Sequence, residues 1–243
     1  MSLSTENEIQ QYYSTGKVAA DYVQNRFVSE VHRLLHEHQV AAVQRAFDQV
    51  RPACALEIAP GPGRITRAVR PTGKLFCLEF NEGMIQEGVR ACTPEKIWLR
   101  GNGFQLPFAE EFDLVYTFRF IRHFHHSDRD RLYAQVRRVL RPGGLFLMDA
   151  VNEAISRPLR EAHPEEYPVY DKLYNPQELR DELTRAGFEV VALEPVQKFY
   201  GLQQWSQVFL GPRSTFLNRC VVRFLERLPR QQGLEWVVTC RRA

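Results

Sequence analysis

Apolar residues recur at spacings of three and four near the start of the chain: Val18, Tyr22, Phe27, Val31, Leu34, Leu35, Val40, Val43 and Phe47. That spacing puts them on one stripe of a helix, so residues 5–50 are predicted helical, with Pro52 marking the end. From residue 53 the pattern changes. Short apolar runs alternate with amphipathic stretches. The runs at 53–59, 74–79, 96–100, 112–118, 145–150, 188–195 and 234–241 predict strands. Helices are predicted at 64–70, from Asn81 to about Arg90, over 127–140 with Ser127 as cap, over 176–186 behind Asn175-Pro176, and over 214–227. Residues 151–170 are rich in proline and charge, and 197–212 show little periodicity. Strand and helix in alternation predict an α/β Rossmann-like fold, with a mostly parallel sheet and helices on both faces.

This predicts a helical cap over residues 1–50 and a core over 51–243. Two insertions, near 151–172 and 197–230, are expected to cover a cleft. A chain of 243 residues accommodates one such core with additions rather than two full domains. Apolar residues make up 44% and charged residues 25%, which argues against disorder.

The formal net charge is +3, too weak to require nucleic acid. Between Phe112 and Leu145, however, arginines at 119, 122, 129, 131, 137, 138 and 141 stand against three aspartates. Five cysteines form no CxxC or CxxH pair, so neither a zinc site nor a disulfide framework is expected. The first residues lack the basic-then-apolar pattern of a signal peptide, and no apolar run reaches membrane-spanning length. A cytoplasmic location with reduced thiols is the expectation.

The most informative run is Leu56-Glu57-Ile58-Ala59-Pro60-Gly61-Pro62-Gly63-Arg64-Ile65-Thr66, between the first strand and the next helix. Glycines there allow a tight turn and close approach of a ligand to the backbone, at the carboxyl ends of the strands. A dinucleotide turn asks for a small residue where Thr66 stands, and Glu57 is a poor neighbour for pyrophosphate but a good one for a cation. Glu79 ends the second strand, where a carboxylate can accept hydrogen bonds from both hydroxyls of a ribose. That feature fits a nicotinamide cofactor as well.

These residues resemble the class I S-adenosylmethionine-dependent methyltransferases, and within them the ubiquinone/menaquinone-biosynthesis-like group. LEIAPGPGRIT is similar to the family's first motif, with Ala59 in place of its first glycine. LEFN is similar to the second, and GNGFQLPF to a third in which the family carries aspartate where this chain has Asn102. FDLVYTF and RRVLRPGG resemble later motifs, so the likeness covers about residues 53–150. It implies S-adenosylmethionine as cofactor, held by Glu57, Ala59, Gly61, Gly63, Glu79, Phe80, Asn102, Gly103 and Phe104. Glu79 would bind the ribose and the Asn102 carbonyl oxygen the adenine amino group. N-terminal Tyr12, Tyr13 and Tyr22 are candidates to cover the cofactor. The resemblance also implies a seven-stranded sheet whose last strand runs antiparallel.

Methyl transfer needs a base only where the acceptor must lose a proton. His123 is a candidate for that role, with a packing histidine as the competing reading. Arg119 and Arg122 suit an anionic group, although salt bridges to Asp149 or Glu153 account for them equally. His123, His125 and His126 lack a partner at metal-ligand spacing, and none is expected for the i, i+4 pair His32 and His36. Tyr167, Tyr170, Tyr174, Phe199, Tyr200 and Trp205 are candidates for a substrate wall. The expected partners are a small-molecule acceptor, anionic or aromatic, and a second copy of the chain in a homodimer. A nicotinamide-dependent oxidoreductase, a non-catalytic cofactor-binding protein and an RNA methyltransferase stand as alternatives.

Overall fold

The computed structural model describes residues 29–167, 169–229 and 232–243. Helix α1 (Glu30–Val50) opens on Ser29, whose hydroxyl accepts from the His32 N–H, and ends at Arg51 in the left-handed region. The described part of the expected cap is therefore one helix. Its buried stripe, including Leu35, Val43, Ala46 and Phe47, packs with Ala55, Leu75, Leu114 and Leu147 on one face of the sheet.

The strands follow the predicted order: β1 (Cys54–Ile58), β2 (Lys74–Glu79), β3 (Lys96–Arg100), β4 (Phe112–Tyr116) and β5 (Leu140–Asn152). Helix α2 (Glu82–Ala91) lies between β2 and β3, and helix α3 (His126–Val139) between β4 and β5. Beyond β5 come helix α4 (Glu153–Ala162), the two-residue β6 (Leu173–Tyr174) and helix α5 (Pro176–Arg185). Strand β7 (Phe188–Lys198), helices α6 (Tyr200–Phe209) and α7 (Thr215–Arg227) and strand β8 (Gly233–Arg242) complete the described chain. The sheet runs β3-β2-β1-β4-β5-β8-β7, with β6 an eighth strand paired to β5. Strands β1 to β6 pair in parallel, whereas β8 is antiparallel to both β5 and β7. The expected Rossmann-like sheet with an antiparallel last strand is present, one short strand larger than expected.

Alternation along the strands sorts the core. Leu56 and Ile58 of β1 face the layer that holds Leu132, Val136, Leu179 and Leu183 of α3 and α5, while Ala55 faces α1. Asn81 and Asn175 cap α2 and α5 through their side chains as the sequence suggests.

Four local expectations are corrected. Residues 64–70 form no helix. Gly61 and Gly63 take φ of +58° and +77°, and the following N–H groups bond irregularly, Arg67 to the Gly63 carbonyl and Ala68 to that of Ile65. Helix α3 begins at His126, so Ser127 lies inside it and does not cap it. The stretch at 153–162 is helical because the Asn152 side chain caps it, accepting from the Ala154 N–H at 3.1 Å. Finally, α6 occupies the segment that lacks periodicity.

Candidate functional site

One cavity opens where β1 to β4 end. Its lining comes from the ends of those strands and the segments behind them: residues 57–62, 64 and 65 at the end of β1 and beyond, 78–81 and 84 around the end of β2, 101–104 after β3, and 118–120, 123 and 124 after β4. The parallel sheet gathers these turns because all four strands point the same way, which is where open α/β sheets bind ligands.

The floor is the glycine turn. Ala59 holds φ +52° without being glycine, and its N–H donates to the Leu78 carbonyl at 2.9 Å. A methyl group added at Gly61 would meet nothing within 4 Å, so the backbone there is bare to the cavity. At Gly63 the same methyl would lie 2.9 Å from Cys92 Sγ and 3.3 Å from Trp98. The two glycines thus have different tasks, one toward the ligand space and one toward helix and strand packing.

Two carboxylates flank this turn. Glu57 is buried and accepts from Thr66 Oγ1 at 2.6 Å and Tyr116 Oη at 3.0 Å. Burial pushes its carboxyl up to about 7 against those two hydrogen bonds. Glu79 accepts three backbone N–H groups: Gly61 on Oε2, and Phe80 and Asn81 on Oε1, each at 2.9 Å. Burial raises its proton affinity and those N–H groups oppose the rise. A carboxylate has about four lone-pair sites, so Glu79 keeps room on Oε2 for one further donor. The expectation of two ribose hydroxyls on this carboxylate is thereby narrowed.

Asn102 Oδ1 accepts the Phe104 N–H at 2.9 Å, which closes the turn after β3 and sets Gly103 against Phe120. Phe80 is 43% exposed at the rim, Phe120 is partly buried, and Phe104, Phe118 and Phe124 are buried. Phe104 and Phe120 each meet Phe124 edge to face, at 5.0 and 5.1 Å between ring centres. Sequence reasoning missed Phe118, Phe120 and Phe124, although their run directly behind β4 carried the signal. Arg64 also lines the cavity, but its guanidinium donates toward α1, to Gln39 Oε1 at 2.6 Å and on to His36 Nδ1 at 2.9 Å.

The run Arg119–His126 separates into distinct tasks. Arg119 lines the cavity with φ +59°. Its N–H is held by Asp149 Oδ1 at 2.7 Å, and its guanidinium lies 3.8 Å from Glu235. Arg122 is buried among Asp149, Asp171 and Glu235 at 3.0, 3.1 and 2.8 Å. Burial alone would ease off its proton, but the three carboxylates hold it well above the ordinary range. Of the two readings open for Arg122, the salt bridge to Asp149 is the one present, and its charge belongs to the fold. His123 is buried and lines the cavity. The His125 ring lies tilted against that of Tyr170, 4.4 Å between centres, and His126 pairs with Asp130 at 2.9 Å.

None of the six aromatic residues expected to form a substrate wall is among the cavity-lining residues described. Tyr174 is fully buried and donates to Glu182 at 2.7 Å, a core contact, while Trp205 is 54% exposed. Tyr12, Tyr13 and Tyr22 lie outside the described residues. No helix of the described residues is long and apolar enough to cross a membrane.

Residues 56–148 match a family model described as a methyltransferase domain. A Mycolicibacterium smegmatis protein named a probable S-adenosylmethionine-dependent methyltransferase is 33% identical over 118 residues, covering 48% of this chain and 44% of its own length. The ubiquinone/menaquinone biosynthesis C-methyltransferase UbiE of Caulobacter sp. is 29% identical over 157 residues, or 60% of each chain. The chain thus spans about half the length of the curated relatives it matches. Among solved structures, a possible histamine N-methyltransferase of Thermotoga maritima superposes with a TM-score of 0.65 at 19% identity, covering 96% of this chain and all of that one. A Burkholderia thailandensis 1,6-didemethyltoxoflavin-N1-methyltransferase, solved with bound 1,6-didemethyltoxoflavin and S-adenosylhomocysteine, gives a TM-score of 0.61 at 14% identity, covering 100% of this chain and 92% of that one. The resemblance drawn from the motifs is borne out, and the fold with it.

Proposed function

We propose that this chain, whose residues 56–148 match the methyltransferase domain, transfers a methyl group from S-adenosylmethionine to a small-molecule acceptor. The observation that carries this reading is the bare backbone at Gly61 set between two carboxylates, Glu57 and Glu79, in one cavity. Such a site favours a cationic nucleoside. It does not suit a pyrophosphate, which seeks the N-terminus of a helix. Here the residues after the glycines form turns instead of a helix, which disfavours a nicotinamide dinucleotide.

The residues present fit the cofactor. Glu79 keeps acceptor capacity on Oε2, the Gly61 backbone leaves space, and Asn102 and Phe104 edge the far side. When bound, the cofactor supplies a sulfonium-activated methyl carbon, to which the acceptor's lone pair bonds as the carbon–sulfur pair returns to sulfur. The chain's task is to hold the acceptor in line and keep water out. Phe104, Phe118, Phe120 and Phe124 give an apolar wall suited to a flat acceptor, and Arg119 offers a cation at its edge. His123 stands where a proton could be received. The segments 151–172 and 197–230 act as covers in this reading. Tyr170 and Asp171 of the first already touch His123.

Isothermal titration with S-adenosylhomocysteine tests the cofactor. Micromolar binding supports the reading, and absence of binding at millimolar concentration ends it. A screen with radiolabelled methyl donor against phenols, quinones, amines and carboxylic acids then identifies the acceptor class.

A further inference from the structure

The ring of His123 has two different nitrogens in two different settings. Nδ1 lies 3.0 Å from the Tyr170 carbonyl oxygen and 2.8 Å from Asp171 Oδ1. Both neighbours are acceptors only, so Nδ1 carries the hydrogen. Nε2 is buried and has no hydrogen-bond partner among the described residues, and the side chain lines the cavity. In the neutral ring that nitrogen bears the lone pair. A buried lone pair without a donor is costly to leave in a fold, which marks it as a group awaiting a ligand.

The surroundings fix this arrangement. The Lys172 N–H donates to the Arg122 carbonyl at 2.7 Å, latching residues 170–172 to 121–123. Asp171 is held by Arg122 Nε at 3.1 Å and by an Arg160 nitrogen at 2.6 Å. Burial would raise its carboxyl, but Arg122, His123 and Arg160 hold it far below the usual carboxylate range, so it remains an anion beside the ring. Asp149 and Glu235 complete the charged groups around Arg122.

We infer that His123 Nε2 is the proton acceptor for an aromatic hydroxyl, that the Tyr170 carbonyl orients the ring, and that Asp171 is the positioning residue that balances its charge. The inference rests on the methyltransferase reading and gives it an acceptor class. The hydroxyl proton passes to the Nε2 lone pair, and the O–H electron pair stays on oxygen. That oxygen then forms the new bond to the methyl carbon. The imidazolium left behind keeps its Nδ1 hydrogen bond to the Tyr170 carbonyl and lies 2.8 Å from the Asp171 carboxylate, which balances its charge. A neutral amine has a free lone pair and needs no such base before it reacts; a phenol gains nucleophilicity by losing its proton. The apolar edge of Phe104, Phe120 and Phe124 suits the ring that would carry the hydroxyl.

The first test needs no substitution in the protein under study. Long-range proton–nitrogen spectra of histidine-labelled protein, with His123 assigned by its loss in His123→Gln, report which ring nitrogen is protonated. We expect the hydrogen on Nδ1; a hydrogen on Nε2 in the neutral ring overturns the inference. The second test is turnover with the best phenol of the acceptor screen. Asp171→Asn should lower kcat by about 100-fold or more while KM for the phenol and affinity for S-adenosylhomocysteine stay within about threefold, with partial rescue in Asp171→Glu. An unchanged kcat in Asp171→Asn, or turnover of amines but no phenol, also overturns it. Failure of the wild-type protein to bind S-adenosylhomocysteine would instead strike the broader methyltransferase reading, so the two failures are distinguishable.

Discussion

Arg122 and Asp149 form a buried ion pair, 3.0 Å between guanidinium and carboxylate, each side chain 3% exposed. The same carboxylate accepts the Arg119 N–H through its other oxygen. One aspartate therefore ties the strained start of the segment after β4 to the cation behind it. Removing one partner of such a pair leaves a buried charge uncompensated. Arg122→Ala should cost about 3–5 kcal/mol of unfolding free energy, measured by urea denaturation. A loss below about 1 kcal/mol would mean that the cluster carries little structural weight.

Arg119 is expected to behave differently. Its guanidinium lies a long 3.8 Å from Glu235, and it borders the cavity. Arg119→Ala should raise the acceptor KM by about 10- to 100-fold, the value of one or two charge-assisted hydrogen bonds. Steady-state kinetics with an anionic or phenolic acceptor checks this. An unchanged KM would remove Arg119 from the substrate side.

Glu57 predicts a pH dependence of stability with an uncommon sign. Its carboxyl titrates near 7 in the folded chain against an ordinary value of 4.5. Between those values the folded state binds the extra proton, so this group's contribution falls as pH rises through the window and levels off above it. The loss is at most about 3 kcal/mol, from 1.36 kcal/mol per unit. Denaturation of the wild-type protein and Glu57→Gln at pH 5 and 8 should show the variant with the flatter profile. Equal slopes would contradict the assignment.

The glycine turn offers a pair of opposite substitutions. Ala59 sits at φ +52°, where a side chain is strained, so Ala59→Gly should stabilise by up to about 1 kcal/mol after the entropic loss of the added glycine. Gly63→Ala adds a methyl 2.9 Å from Cys92 Sγ at φ +77°, and should destabilise by about 1–3 kcal/mol. Calorimetric melting of both variants checks the signs; the same sign for both would refute the strain assigned to Ala59.

The glycine turn and the strand ends were legible because they are local. Glu57, Gly61, Glu79, Asn102 and Phe104 lie at or just beyond the ends of their strands, and parallel strand order brings them to one cavity, while Gly63 packs against Cys92 and Trp98. What escaped was set by distant partners. The Asp149 partner of Arg122 could be read from the sequence, but Asp171 and Glu235 arrive from far along the chain. Helix α6 lacks an apolar-inside pattern because its buried positions are polar. The Gln203 side-chain N–H donates to Glu226 and the Ser206 hydroxyl to Asn218, while Leu202, Trp205 and Val208 face outward. The 64–70 helix was misread because positive φ at two glycines is invisible to periodicity. Strand β6 has two residues, too few for any pattern to register.

The placement of β8 between β5 and β7 bears on how the chain is made. Synthesis delivers β7 before the strand that joins it to the sheet, and leaves one long edge of β5 open in the meantime. A ribosome-bound chain halted after β7 would hold two unsatisfied ladders at once, a state open to intermolecular pairing. Closure of this half of the sheet thus waits for β8, and removing that strand would leave the edges of β5 and β7 exposed together.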